Sequence, residues 1–220
     1  MALRLLRVLT GLLLAGSGAL LIAASWQRWG GVCTGDSGTS AETCVLREDH
    51  LYDFLPPLEP WEPVGSAAEL AGVSLLVLAL VLPLLPWALT ARRPGRYSAV
   101  ALIASELALV AVGLATLGSG LSGEVVAAPL GSWSVVVWLI VPPVLVSRWA
   151  VDAHGWARAA AVVLALSMPI VAAFTYAIGS YDTRPWWEAI SGSVMAAAAL
   201  CLWVAAAWGH GHVTVGPASR

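Results

Sequence analysis

The sequence predicts an all-α fold, a polytopic membrane helical bundle of six transmembrane helices, with both termini in the cytoplasm (N-in/C-in) and a disulfide-containing outer loop. Three observations support this prediction. The chain of 220 residues is 59% hydrophobic and only 11% charged, whereas a soluble domain carries about 25% charged residues. Its apolar residues form six separate stretches, each about long enough to cross roughly 30 Å of hydrocarbon. Its arginines lie mostly on one side of these stretches.

The six predicted spans share a nearly uninterrupted apolar composition. They cover residues 6–25, 67–90, 98–118, 133–150, 157–179 and 187–208. The chain therefore divides into four parts along its length. These are transmembrane helix 1 (1–25), an extracytoplasmic cap loop (26–66), transmembrane helices 2–6 (67–208) and a cytoplasmic tail (209–220).

Orientation follows from the arginines, because positive side chains concentrate at the cytoplasmic ends of membrane spans. With the N-terminus inside, eight of the eleven arginines are cytoplasmic, and only Arg28, Arg47 and Arg184 lie outside. The acidic residues show the opposite distribution, with Asp152 alone clearly inside. The alanine, glycine and arginine bias is typical of a high-GC bacterial sequence. We therefore expect a multi-pass protein of a bacterial cell (plasma) membrane with an acidic outer face.

The first span has a second interpretation. Residues 1–7, the apolar run that follows and the small residues 23–25 together have the features of a secretory signal peptide. A seam of small residues at four-residue spacing indicates instead a helix that packs closely against others. This seam consists of Gly11, Ala15, Ala19 and Ala23. We expect a retained span, and cleavage would leave five spans.

Two cysteines, Cys33 and Cys44, lie in the cap loop with ten residues between them. The extracytoplasmic side is oxidising, so they are expected to form a disulfide. Such a bond stabilises a domain by about 2–4 kcal/mol. Cys201 lies deep in the last span, away from this pair. A structural role is therefore favoured over thiol–disulfide catalysis.

The cap loop also contains helix-start signals. Thr39 and Glu42 form a capping box that predicts a short helix running to about Phe54. Ser66 and Glu69 form a second one, at the outer start of the second span. The prolines between them predict a stiff connector. We therefore expect the cap loop to be folded rather than flexible.

His50 and Asp53 lie one turn apart on the predicted outer helix, near other acidic residues. This pair is a weak candidate for binding a divalent cation. A metal site needs three or four ligands, however. We therefore expect a solvated acidic surface, no metal site and no cofactor.

Glu106 is the one acidic residue deep within a predicted span. It lies nine residues after Tyr97, about 14 Å along the helix axis and hence near the bilayer midplane. A carboxylate is costly there, usually faces the bundle interior or a water-filled cavity, and often marks a pathway. Glu106 is thus a candidate intramembrane polar site, either for protons or substrate or for structural hydrogen bonding. The opposite side of the helix carries a seam of alanines, Ala101, Ala104, Ala108, Ala111 and Ala115.

No nucleotide-binding, zinc-protease or serine-hydrolase motif is present, and no basic run indicates nucleic acid. Three functional hypotheses remain. The favoured one is a non-enzymatic accessory or interaction subunit of a membrane complex, which contacts lipid and meets a membrane protein partner through residues 26–66. The second is a small carrier or proton-coupled permease that uses Glu106. The third is a membrane enzyme acting on lipid, although no carboxylate pair or histidine indicates its site.

Overall fold

The computed structural model describes residues 1–33, 38–129, 131–171 and 185–208. Within these ranges all regular secondary structure is helical and no β-strand is present, which confirms the all-α prediction for them. The α-helices described are α1 (Ala2–Trp29), α2 (Gly38–Arg47), α3 (Ala67–Val81), α4 (Leu85–Thr90), α5 (Arg96–Ser122), α6 (Ser132–Asp152), α7 (Gly155–Leu166) and α8 (Trp187–Trp208). Two short 3₁₀ segments occupy His50–Tyr52 and Leu82–Leu84.

Five helical units are long and apolar enough to cross a membrane, as expected for a multi-pass membrane protein. They are α1, the continuous unit Ala67–Thr90 formed by α3 and α4, α5, α6 and α8. The predicted span 157–179 corresponds in part to α7, which has only 12 residues. Residues 172–179 of that span and the predicted tail 209–220 lie outside the described residues.

The spans and α7 form a closed ring. Each helix packs against the next in the order α1, α3, α5, α6, α7 and α8, and α8 returns to α1. A 3₁₀ turn at Leu82–Leu84 separates α3 from α4, where Pro83 and Pro86 remove backbone donors. After this turn α4 packs against α1, α6 and α7. It therefore crosses the ring at one end.

Hydrogen bonds at both ends of α1 fix its direction relative to α8. Near the start of α1, Arg7 Nη1 donates to the carbonyl oxygen of Ala205 over 3.0 Å. Near its end, Trp29 Nε1 donates to Glu188 Oε2 over 3.0 Å. Because Ala205 is in the last turn of α8 and Glu188 in the first, α1 and α8 are antiparallel. The N-terminal end of α1 and the C-terminal end of α8 therefore lie at the same end of the bundle.

Small residues allow α1 to approach its neighbours closely. They differ in part from the seam that the four-residue spacing predicted. Gly18 and Gly192 face each other so closely that a Cβ atom on either would overlap the other's carbonyl oxygen. Ser17 Oγ lies 2.9 Å from Ser74 Oγ and joins α1 to α3. Ala19, in the predicted seam, is exposed. A strict four-residue repeat drifts around a helix with 3.6 residues per turn, so it leaves the packed face within a few turns.

The cap is less helical than predicted. α2 ends at Arg47, and the Asp49 side chain accepts a hydrogen bond from the Leu51 amide over 2.9 Å. Such a local bond competes with helix continuation, so the predicted end at about Phe54 was wrong. The side chain of Thr39 lies outside the described set. α3 begins after Ser66 as predicted, but the Ser66 side chain makes no capping hydrogen bond.

Candidate functional site

The last turn of α1 carries a buried arginine, Arg28, whose side chain is only 1% exposed. Its Nη1 lies 2.6 Å from Asp53 Oδ1 and 3.7 Å from Glu188 Oε1. Nε and Nη2 donate to the Arg47 carbonyl over 3.1 and 2.8 Å, and Nη2 also donates to the Asp49 carbonyl over 3.2 Å. A buried guanidinium is tolerated only where acceptors surround it. The cap supplies most of these acceptors and is thereby anchored to α1.

Glu188 completes this arrangement from the first turn of α8. Its side chain is buried, and Oε2 accepts hydrogen bonds from Ser25 Oγ over 3.2 Å and from Trp29 Nε1 over 3.0 Å. The N-terminus of a helix also favours a negative charge. We refer to Arg28, Asp53 and Glu188 as the outer cluster. It joins the cap, α1 and α8, and its formal charge is −1.

Two features that the sequence predicted for the cap, the disulfide and the His50–Asp53 pair, lie close to this cluster in the sequence. Cys33 and Cys44 form the predicted disulfide, with their Cα atoms 5.0 Å apart. It ties the residues after α1 to α2. His50 Nδ1 lies 2.8 Å from Asp53 Oδ2, so Asp53 is shared between His50 and Arg28. In the four described ranges, no group of three or more His, Cys, Asp or Glu residues is arranged to hold a metal ion.

A cavity of about 220 Å³ lies inside the ring. Every helix of the ring contributes to its wall, for example through Leu21, Leu75, Leu109, Trp138, Leu164 and Met195. Residues 53–56 of the cap line its outer end, where Asp53 and Glu188 are the charged groups in the wall. The cavity is thus an apolar chamber with an acidic outer end.

The size of this cavity is sufficient for a small apolar molecule. An apolar cavity of about 150 Å³ stays dry and can bind benzene.

Glu106 does not belong to the described residues that line this cavity. It is half-buried on α5, and its Oε2 is buried with no hydrogen-bond partner in the described part of the chain. Ile103 and Leu107, close to Glu106 on the same helix, are each 61% exposed. Ala104, part of the predicted alanine seam, is exposed as well. Glu106 is therefore half-buried beside the outer surface of the ring, with one carboxyl oxygen, Oε2, enclosed by the protein.

Sequence reasoning missed the outer cluster. Arg28 was counted as one of three outward arginines, and Glu188 as one of many outer acids. A signal was nevertheless present, because Arg28 stands at the end of a long apolar run and directly before Trp29. A charged side chain at the end of an apolar span needs a hydrogen-bonding or ionic partner where the helix packs against other helices.

The fold and these sites define an α-helical protein of the multi-pass membrane type, in which a ring of helices surrounds an apolar cavity and carries a disulfide-braced cap. No protein-family model, curated protein or solved structure matches the chain.

Proposed function

We propose that this protein is a non-enzymatic interaction subunit of a membrane complex, with the cap as its contact surface. The observation that carries the proposal is that the cap is braced internally and yet exposes apolar side chains. Val45, Leu46 and Leu58 are 58%, 61% and 65% exposed. A contiguous exposed apolar patch is typical of an interaction surface, and Val45 and Leu46 are adjacent on α2.

The charge of the cap favours a basic protein partner. Its exposed acidic side chains are Glu42, Asp49, Glu59 and Glu62. Anionic lipid surfaces attract basic segments, so an acidic cap is poorly suited to them. Complementary charge steers protein association and selects partners. The partner we propose is therefore a membrane protein with a basic extracytoplasmic segment.

The position of Glu106 supports the same proposal over a carrier. A permease that used Glu106 would need it on a polar route through the bundle, whereas Glu106 does not belong to the described lining of the cavity and its helix neighbours Ile103 and Leu107 are exposed. A polar group there can hydrogen-bond to a neighbouring transmembrane helix. We propose that Glu106 meets a hydrogen-bond donor on the partner.

A lipid enzyme is supported less well. Among the residues that the structure describes, Asp53 and Glu188 are the carboxylates that line the cavity. Both are paired with Arg28, whereas acid–base catalysis needs groups whose proton affinities differ and which can reach the substrate. The arrangement suits a structural role.

We further propose six crossings of a bacterial cell membrane with both ends in the cytoplasm. The antiparallel arrangement of α1 and α8 supports an even number of crossings, because it puts the two ends of the described bundle on one side. The long units number five, and α7 with the residues after it would supply the sixth. The bundle end at Arg7 also holds α4, which Arg92 and Arg93 follow, and arginine-rich ends are cytoplasmic.

Retention of a complex after a change of cap charge tests the proposed function. The protein is solubilised from its native membranes in mild detergent, and the mass of its complex is measured by native gel electrophoresis. We expect a complex larger than the single chain that is lost in Glu59→Lys/Glu62→Lys. The matched control is Glu124→Lys, which reverses an exposed acid outside the cap and should leave the complex intact. A single chain in the wild type, or equal loss in the control, would refute the proposal.

A further inference from the structure

We propose that the cavity inside the ring is a binding site for a single-chain amphiphile whose head group carries a hydrogen-bond donor, namely a long-chain amine or alcohol. This inference rests on the cavity and the outer cluster and does not depend on the proposed interaction role.

The apolar part of the cavity fits one hydrocarbon chain. Its volume of about 220 Å³ exceeds the space that benzene occupies in other apolar cavities. Along α8 the wall extends from Glu188 to Met195, which corresponds to about 10 Å at 1.5 Å per residue. Leu82 and Leu85, at the start of the α4 crossing, line it as well. The cavity is therefore elongated along the bundle and apolar away from the cap.

The outer end of the cavity determines the chemistry of the head group. Asp53 and Glu188 line the wall, whereas Arg28 does not belong to the described lining residues. A ligand thus meets the carboxylate groups of Asp53 and Glu188, whose oxygens are acceptors only. Glu188 Oε1 has the most capacity left, because its ion-pair partner, Arg28 Nη1, is 3.7 Å away. Ser167 Oγ, also in the wall, already donates to the Leu164 carbonyl over 2.7 Å, which leaves its lone pairs to accept. With a formal charge of −1 on the outer cluster, an ammonium or hydroxyl group is favoured and a carboxylate or phosphate is repelled.

The site can be filled by a single substitution that has a matched control on the next residue. Leu139 of α6 lines the cavity, whereas its neighbour Ile140 is 49% exposed on the outer surface. Leu139→Trp adds an indole ring to the cavity, and Ile140→Trp adds the same ring outside it. Leu78→Trp, on α3, fills the cavity from a different helix and is used if Leu139→Trp does not fold.

The experiment measures binding of radiolabelled n-octylamine to the full chain in phosphatidylcholine nanodiscs, with empty nanodiscs subtracted. We expect one saturable octylamine site per chain, from which 1-octanol displaces the label. The affinity for octanoate should be at least about tenfold lower than that for octylamine, equivalent to about 1.4 kcal/mol. Leu139→Trp should abolish the saturable binding, and Ile140→Trp should retain it. Glu188→Gln should weaken the binding of octylamine more than the binding of octanol, because an amide oxygen still accepts a hydrogen bond but carries no charge.

Three results would overturn the proposal. One is the absence of saturable binding in the wild type above that of empty nanodiscs. Another is undiminished binding in a folded Leu139→Trp or Leu78→Trp variant, which would place the probe elsewhere. The third is octanoate binding as tight as octylamine binding, which would contradict the assigned acceptor chemistry.

Discussion

Arg28 Nη1 lies 2.6 Å from Asp53 Oδ1, and this ion pair connects the last turn of α1 to the extramembrane cap. The same guanidinium donates to the backbone carbonyls of Arg47 and Asp49 and lies 3.7 Å from Glu188 on α8. One buried side chain therefore sets the position of the cap relative to two membrane helices. The stability of the cap, its exposed surface and the outer end of the cavity all depend on it.

Removal of Arg28 should release the cap. Arg28→Ala removes the cation that faces the buried Glu188 and the partly exposed Asp53, and breaking a buried ion pair costs about 3–5 kcal/mol. We expect faster hydrogen exchange in residues 47–53 and a lower midpoint of thermal unfolding. Arg47→Ala is the control, because Arg28 contacts the backbone carbonyl of Arg47, which that substitution keeps. Equal exchange in both variants would contradict the anchoring role of Arg28.

The disulfide should stabilise the cap locally. We expect Cys33→Ser/Cys44→Ser to lower the free energy of unfolding by about 2–4 kcal/mol and to speed hydrogen exchange in α2. Cys201→Ser, which removes the free cysteine of α8, should change neither. Alkylation of Cys33 and Cys44 in the unreduced, denatured protein would show that the bond is not formed.

The close crossing of α1 and α8 at Gly18 predicts that alanine is poorly tolerated at this position but is tolerated at the nearby Gly16. Gly18→Ala places a methyl group against the Gly192 carbonyl, and overpacking of this kind costs about 1–3 kcal/mol. Gly16, half a turn away, has no atom within 4 Å of an added Cβ, so Gly16→Ala should be neutral or stabilising, by up to about 1 kcal/mol. Thermal unfolding of the two variants gives the comparison. A Gly18→Ala variant as stable as Gly16→Ala would mean that the helices do not cross here.

Glu106 should affect the complex and leave the fold unchanged. Its Oε2 has no hydrogen-bond partner in the described residues, so Glu106→Leu should leave the unfolding midpoint near that of the wild type while weakening retention of the partner in detergent. Glu106→Gln, which keeps hydrogen-bonding capacity, should retain more of the complex than Glu106→Leu. Loss of a proton-coupled flux in Glu106→Gln with the complex intact would favour the carrier hypothesis instead.

The membrane helices could be predicted from the sequence because bilayer thickness sets the length of an apolar run. The ends of Ala67–Thr90 and Trp187–Trp208 agree with the predicted spans. α7 differs, since it ends at Leu166. Pro169 explains part of this difference, because proline disfavours helical geometry in the preceding residue and has no backbone donor. That proline was visible in the sequence, but the apolar run continued through it.

The outer cluster could not be predicted, because its members lie far apart in the chain. Arg28 is separated from Asp53 by 25 positions and Ser25 from Glu188 by 163, and nothing local to any of them specifies the pairing. Charge counting predicts that Arg28 and Glu188 lie on the same side of the membrane, but it does not predict their contact. The same limit applied to Glu106, whose depth followed from the sequence while the direction it faces depended on how α3 and α6 pack against α5.

Photocrosslinking from the cap in native membranes tests the central claim most directly. A photoreactive amino acid replaces Leu46, which is 61% exposed on the cap, or Tyr97, which is 88% exposed at the start of α5. The proposed role predicts that Leu46 crosslinks to one membrane protein with a basic extracytoplasmic segment, that Glu59→Lys/Glu62→Lys removes this product, and that Tyr97 does not form it. Crosslinking of Leu46 only to lipid, or to many proteins with the same yield as Tyr97, would contradict it.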